Sequence, residues 1–296
     1  MRKKGLNIVK KIIYGFWVLF LFSLLIFIVS NNLLTVSKYK LQYENLPESF
    51  QGLKIVHLSD LHSKSFGRNN RRLVRRIDKE SPDILVMTGD MVNSTDEDFG
   101  IFIDLSKILA DKYDSYYIVG NHEQNLDDNK LQVLYDGLSQ AGVHILDNSK
   151  ISLNRGSETI DLYGLWFNLR YYSDQRSEFI RNHPEDYYFS LDKIETILGK
   201  KDPDSFTILL THNPVYFPTY IDWEADLTLT GHIHGGMLRI PFLGGVFSPE
   251  KTFFPEYDAG DFEENKRHMI VSRGLGNGNV GMRFFNCPEI VVIEMN

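Results

Sequence analysis

Cysteine is nearly missing from this 296-residue chain: Cys287 stands alone, so no intramolecular disulfide can form and a disulfide-stapled fold is excluded. We read Cys287 as a small buried hydrophobe just before a C-terminal strand. Acid is missing from residues 1–40, which carry seven Lys and Arg, so the whole-chain charge of −7 becomes −14 over residues 41–296. Such an acidic body, with no basic stripe interleaved with aromatics, argues against nucleic-acid binding. Low-complexity segments and repeats at solenoid spacing are absent too, and 43% hydrophobic with 24% charged residues is ordinary for a folded chain. Disordered and solenoid architectures are thereby set aside. The residues beyond the first forty suffice for one domain with a substantial core.

Ile12 to Ser30 is an uncharged run of nineteen residues rich in Leu, Ile, Phe and Val, long enough to span a bilayer as a helix. Trp17, Phe20, Phe22, Leu25 and Phe27 leave it no polar face, and no small-residue cleavage site follows it, which favours a retained anchor over a signal peptide. Arg2, Lys3, Lys4, Lys10 and Lys11 precede the span and only Lys38 and Lys40 follow it closely. This bias predicts a cytoplasmic basic N-terminus at 1–11, a transmembrane helix at 12–30, a linker and lead-in at 31–52, and an extracytoplasmic domain at 53–296 of a single-pass cell-membrane protein.

From Lys54 onward, short apolar runs end in polar or Gly clusters. Lys54–Ser59, Ile84–Thr88, Tyr116–Val119, Phe206–Leu210 and Leu227–Thr230 read as buried strands. Asn70 is expected to cap a helix presenting Leu73, Val74 and Ile77, and Phe102, Leu105, Ile108 and Leu109 repeat that spacing. The β-α-β-α-β start implies a parallel sheet. Thr159–Leu165, His268–Ser272 and Ile290–Met295 are later strands, giving a mixed α/β sandwich. Residues 166–204 read as a polar, partly helical excursion and 235–265 as a long irregular loop.

Chemistry-bearing fragments follow the strands: Asp60-Leu-His62 after the first, Gly89-Asp90 after the second, Gly120-Asn121-His122-Glu123 after the third, then Thr211-His212 and Gly231-His232-Ile233-His234. Loops at the carboxyl ends of neighbouring strands converge on one crevice. Two divalent ions about 3.5 to 4 Å apart need a shared carboxylate, several imidazoles and room for a water, and Asp90 suits the shared position. Asp60 and His62, two residues apart, can point the same way from an extended segment, and His232 and His234 repeat that device. Gly before Asp90, Asn121 and His232 allows a sharp turn and close approach. His57, His144, His183 and His268 lie outside these fragments and read as structural, and Glu123 reads as an exposed or supporting carboxylate and not as a ligand.

The fragments D-x-H, GD, GNHE, H and GHxH, in this order, resemble the signature of the calcineurin-like metallophosphoesterases. That resemblance implies a four-layer αββα sandwich and a catalytic domain that hydrolyses phosphodiester or pyrophosphate bonds with a hydroxide held between two divalent ions. It further implies that Asp60, His62, Asp90 and His234 hold one ion, that Asp90, Asn121, His212 and His232 hold the other, and that His122 and Asn121 serve catalysis. The mixed oxygen and nitrogen donors suit Mn, Fe or Zn. Asp60-Leu-His62-Ser63, His234-Gly235-Gly236, Ser272-Arg273-Gly274-Leu275-Gly276 and Pro288-Glu289-Ile290 are similar to bacterial single-span, membrane-anchored phosphodiesterases. A protein phosphatase and a non-catalytic scaffold are the competing readings.

Two further features are open at this point. Arg68, Arg71, Arg72, Arg75 and Arg76 form a basic cluster that reads first as a solvated helix face, and otherwise as a contact for a phosphorylated substrate or an anionic membrane. Arg239–Phe247 and Phe253–Pro255 would place apolar surface beside His234, as ordinary cover of the sheet or as a contact for a lipid-linked envelope substrate. Oligomeric state is not readable from the sequence. An export-dependent reporter fused after residue 296 should be active; an inactive fusion would reverse the topology.

Overall fold

The computed structural model describes residues 2–278 and 281–296; the side chains of Arg2, Lys3 and Lys4, which carry part of the topology expectation, lie outside the described residues. Along the first half run α1 (Arg2–Asn32), β1 (Thr35–Leu41), β2 (Leu53–Leu58), α2 (Arg71–Asp78), β3 (Ile84–Thr88), α3 (Gly100–Ala110), β4 (Asp114–Ile118), α4 (Asn121–Gln124), α5 (Asp128–Gln140) and β5 (His144–Ile145). The second half contains β6 (Ser149–Arg155), β7 (Glu158–Leu165), α6 (Glu178–Arg181), α7 (Pro184–Tyr187), α8 (Leu191–Leu198), β8 (Thr207–Thr211), α9 (Phe217–Asp222) and β9 (Leu227–Thr230). It closes with β10 (Arg239–Ile240), β11 (Gly244–Gly245), β12 (Gly260–Glu264), β13 (Arg267–Val271) and β14 (Glu289–Met295).

Two six-stranded sheets form, in the orders β1-β14-β2-β3-β4-β5 and β12-β13-β9-β8-β7-β6. Strand alternation sorts the side chains into three apolar layers. From β2, Val56 and Leu58 face Leu73, Ile77, Phe102, Leu105 and Leu138 of the covering helices, whereas Ile55 joins Val86, Ile208, Leu210, Leu229 and Ile293 between the sheets. The outer face of the second sheet carries Leu209 and Met269 under Ile194 of α8 and Tyr220 of α9. Helices therefore cover the far side of each sheet, and the fold is the expected α/β sandwich.

The strands fall within a residue or two of the expected runs, and three local expectations are corrected. Asn70 precedes α2 with φ 54° and makes no side-chain cap; its Oδ1 instead accepts the amide of Phe66 at 2.8 Å, closing the turn that enters the helix. Within the stretch read as linker, β1 pairs in parallel with β14, with Thr35 opposite Glu289 and Leu41 opposite Met295. Its half-exposed, mixed sequence belongs to an edge strand whose partner is more than 250 residues away. Cys287 is only partly buried, with Sγ 3.8 Å from the carbonyl of Val29 at the end of α1.

Within α1, Val9–Asn32 is long and apolar enough to cross a membrane, and its apolar side chains before Ser30 stand largely clear of the domain: Ile12, Leu21 and Leu25 are each more than half exposed. The long loop 235–265 holds the small β10–β11 hairpin and otherwise remains irregular up to β12. Of the four histidines read as structural, His57 is fully buried and shares a 2.7 Å hydrogen bond with Thr88 Oγ1.

Burial, reinforced by the neighbouring His212, pushes the pKa of His57 down to about 3, against about 6.5 in an unfolded chain. Unfolding takes up a proton between these values, so stability is complete above about pH 6.5 and falls as the pH drops through that window. The melting temperature of metal-stripped His57→Leu should fall less steeply on acidification than that of the parent chain; equal slopes would assign the acid sensitivity to other groups.

Candidate metal centre

The seven side chains expected as ligands come from five strand-end loops in the two sheets and meet in one place. Asp60, His62 and His234 bring ligand atoms within 4.8 Å of one another, as do Asp90, His212 and His232, and also His62, Asp90 and His122. Asp90 joins the groups: its Oδ2 lies 3.2 Å from His212 Nε2 and 3.9 Å from His62 Nε2. Asp60 Oδ1 lies 3.4 Å from His234 Nε2 and 3.8 Å from His212 Nε2. Asn121 lines the same cavity, with a buried Oδ1 that has no hydrogen-bond partner among the described residues.

The D-x-H and GHxH segments do not work by strand alternation, as the spacing suggested. Asp60, His62, Asp90, His232 and His234 all have positive φ, between 47° and 68°, so five of the seven sit in the left-handed region. Side chains other than Gly adopt it at a cost of about 1 kcal/mol or more each. β2 ends at Leu58, and beyond it the chain is pinned by backbone bonds that continue the pairing with the β3 side: Asp60 N to Gly89 O, His62 N to Asp90 O and Ser63 N to Met91 O, each 3.0 Å. Those bonds hold the coiled ligand loop in place.

Two glycines make the convergence sterically possible. A Cβ at Gly89, whose φ is +87°, would stand 2.4 Å from Gly120 N, so the β3 and β4 loops touch backbone to backbone. At Gly231 a Cβ would stand 1.9 Å from Ser59 Oγ and 2.4 Å from Asp60 Oδ2, so the second sheet's loop lies directly on the first sheet's carboxylate.

The imidazoles are oriented for cation binding. His212 directs Nδ1 at the carbonyl of Thr88, 2.6 Å away, and His62 directs Nδ1 at Asn93 Oδ1, 3.0 Å away, which leaves each Nε2 lone pair facing the centre. Burial holds His62 and His234 below the usual imidazole range, as neutral rings. Burial also disfavours a charged His212, but the Asp90 carboxylate, its hydrogen bond and Asp60 outweigh this and bring its pKa to about 9. Burial opposes ionisation of Asp90 as well, yet His212, His122 and His62 hold it well below the carboxylate range. The proton that His212 Nε2 then shares with Asp90 across 3.2 Å stands where a cation would take its place. With that proton displaced, the Nε2 atoms of His212 and His232 and the unpartnered Oδ1 of Asn121 form a donor set that fits divalent cations.

A family model described as calcineurin-like phosphoesterase matches residues 53–236, more than half of the chain. The chain belongs to this family. Over 271 residues it is 27% identical to an uncharacterized metallophosphoesterase of Bacillus subtilis (strain 168), YkuE, covering 89% of this chain and 86% of that one. It is 28% identical to the phosphodiesterase YaeI of Escherichia coli (strain K12), covering 82% of each. With the UDP-2,3-diacylglucosamine pyrophosphatase LpxG of Chlamydia muridarum (strain MoPn / Nigg) it shares 24% identity, covering 84% of this chain and 86% of the other. The chain is a metal-dependent phosphoester hydrolase of a family that works with two metal ions.

Several residues of the phosphoesterase site escaped the sequence pattern. Glu123 is neither exposed nor a ligand: fully buried, it accepts the amides of Asp90 and Gly120 at 2.8 Å on Oε2 and those of Met91 and Val92 at 2.7 and 3.2 Å on Oε1. Burial and the Asp90 charge raise its pKa, while the amide donors pull it down. Glu250 places Oε1 3.3 Å from His232 Nε2, and the Tyr172 ring lies edge-on to His232 at 4.9 Å. Both come from the long excursions, where only length signalled function. Arg283 is 1% exposed, donates to the carbonyls of Gly276 and Arg273 and lies 3.4 Å from His234 Nδ1; no motif pointed to it.

Glu123→Gln should strand about two of these amide donors and destabilise the phosphoesterase by about 2 to 4 kcal/mol, read from the unfolding midpoint. Gly231→Ala should abolish metal binding in calorimetric Mn titrations; unchanged binding would show that the loop can retreat from Asp60.

Proposed function

We propose that this phosphoesterase hydrolyses a phosphodiester or pyrophosphate bond in a lipid-linked substrate at the outer surface of the cell membrane. The observation that carries this reading is a cavity of about 340 Å³ whose lining combines the expected metal-binding groups with a mixed stretch of the long loop, where Met237, Phe247 and Pro249 stand beside Ser248, Glu250 and Lys251. Asp90, Asn121, His122, His232 and His234 line it together with Met237 and Phe247 from the long loop. Such a mixed lining suits a substrate with a charged phosphate and an apolar remainder.

Asp60, His62, Asp90 and His234 would hold one cation and Asp90, Asn121, His212 and His232 the other, with Mn, Fe or Zn as the candidates. When bound, the pair supplies a deprotonated water as nucleophile and offsets the charge that gathers on the phosphoryl oxygens. The chain's own contribution is orientation and a hydrogen bond to the leaving oxygen. His122 Nδ1 accepts the amide of Ser94 at 3.2 Å, so a neutral ring carries its proton on Nε2. That N–H is the one available to hydrogen-bond the departing oxygen and stabilise the charge that builds on it. Glu123 fixes the amide of Asp90 and so the position of the shared carboxylate, while Asn93 and Thr88 fix the rings of His62 and His212.

Support for an outward-facing, anchored enzyme comes from the apolar α1 and the basic residues before it. Reconstituted full-length protein, stripped of metal and then given Mn, should hydrolyse a chromogenic phosphodiester. Asp90→Asn should abolish this activity, and His122→Asn should lower kcat by about 10² to 10⁴ while Mn still binds. Activity that survives Asp90→Asn or chelation would remove the two-metal mechanism. Equal kcat/KM for a lipid-linked and a water-soluble diester would remove the lipid substrate and leave the chemistry standing.

A further inference from the structure

The end of α1 is built into the rim of the catalytic cleft. Asn31 Nδ2 donates to the carbonyl of Arg283 at 2.9 Å, and its Oδ1 accepts from Arg283 N at 3.0 Å and Asn277 Nδ2 at 3.1 Å. Lys64 Nζ donates to the carbonyl of Asn31 at 2.9 Å and Arg72 Nη2 to that of Asn32 at 3.0 Å, cations placed where a helix C-terminus favours them. Only Leu33 and Leu34 separate α1 from β1. The same loop reaches the cleft, because Gly278 lines the cavity and Arg283 lies against His234. Where the helix ends is thus fixed relative to the metal-binding side chains.

Two exposed surfaces continue from that junction. One is apolar: Phe242 is fully exposed, Leu243, Phe253 and Phe254 are 60–70% exposed, and Met282 and Phe285 lie open beside Arg283. Backbone bonds tie these segments into one ribbon, from Arg239 N to Phe284 O, Val246 N to Leu238 O and Phe254 N to Val246 O. The other is basic. Arg68, Arg71, Arg72, Arg75 and Arg76 are exposed on and just before α2, and Arg72 is the residue that holds the end of α1.

We propose that this face rests on the bilayer that α1 enters, with the Phe242–Leu243 and Phe253–Phe254 tips among the lipid chains at the interface and the arginines of α2 against anionic headgroups. A bilayer is the occupant that accounts for both surfaces at once, since apolar tips and a basic helix flank the point where an apolar helix leaves the domain. Its consequence is that the cleft mouth is held at headgroup level. The proposal rests on α1 being an anchor and deepens the lipid-substrate reading without requiring it.

The test uses full-length protein with Cys287→Ser, reconstituted into phosphatidylcholine vesicles containing phosphatidylglycerol. Nitroxides are attached, one at a time, through Leu21→Cys in α1, Phe242→Cys, and Lys266→Cys. Lys266 lies in the turn before β13, which runs parallel to β9, and so at the end of the sheet away from the site. Collisions with oxygen and with a water-soluble nickel chelate report depth. Labels at 21 and 242 should favour oxygen, and the label at 266 the chelate. A label at 242 as wet as that at 266, with 21 in lipid, overturns the docking and leaves the anchor intact; a wet label at 21 overturns the anchor and the docking with it. A label at 242 that is shielded from both reagents, accompanied by cross-linking between copies, would mean that a second chain covers the ribbon and would overturn the proposal too. Arg71→Glu with Arg75→Glu should shift the 242 label several-fold toward the chelate in the anionic vesicles and leave it unmoved in pure phosphatidylcholine; unchanged depth in the anionic vesicles removes the headgroup half.

Discussion

One buried carboxylate organises the centre. Glu123 accepts four backbone amides from two loops that follow adjacent strands of the first sheet. Without it, the turn after β3 would leave several amides buried without acceptors, an arrangement that folded chains avoid. With it, Gly89 and Gly120 can lie in backbone contact, and Asp90 is presented at the one position that His62 and His212 both reach. Asp90 Oδ1 in turn accepts the amide of His122 at 2.7 Å, so His122 and the Asp90 carboxylate are referred to the same frame.

A second constraint closes the site from the opposite sheet. The amide of His232 donates to both oxygens of Asp60, at 3.1 and 3.2 Å, which joins the β9 loop to the β2 loop through the Asp60 carboxylate. Five ligand positions held in left-handed backbone represent strain that neither loop could sustain alone. The three apolar layers and the pairing beyond Leu58 supply the rigidity that sustains it. The centre is therefore a product of the sandwich as a whole, and single-site changes that loosen either sheet end should weaken cation binding before they alter the fold.

How much of this was legible depended on the range of the interaction. Buried strands announce themselves as apolar runs, and the strand-end fragments carry their chemistry in residue type and order, so the α/β sandwich and the side chains that meet at its strand ends could be read directly. Conformation at those fragments could not: Asp60 and His62 look like an alternating extended pair, and only the bonds to Gly89 and Asp90 bend them. β1 was hidden because its partner is the last strand. Glu123 was visible as part of GNHE but its burial was not, since a carboxylate usually faces water and this one is paid for by amides that sequence does not display. Arg283, Glu250 and Tyr172 lie in irregular segments where periodicity is silent.

The joint between α1 and β1 has a kinetic meaning. A domain carried on a long flexible linker sweeps a volume and can reach substrates well above its membrane. Here two residues and a set of hydrogen bonds replace that linker, so as an anchored enzyme this chain could neither lift away nor turn over. With a lipid-linked substrate, encounters would be confined to a plane, and turnover would follow the number of substrate molecules per area of membrane and the lateral diffusion of both partners, not the concentration in the surrounding fluid.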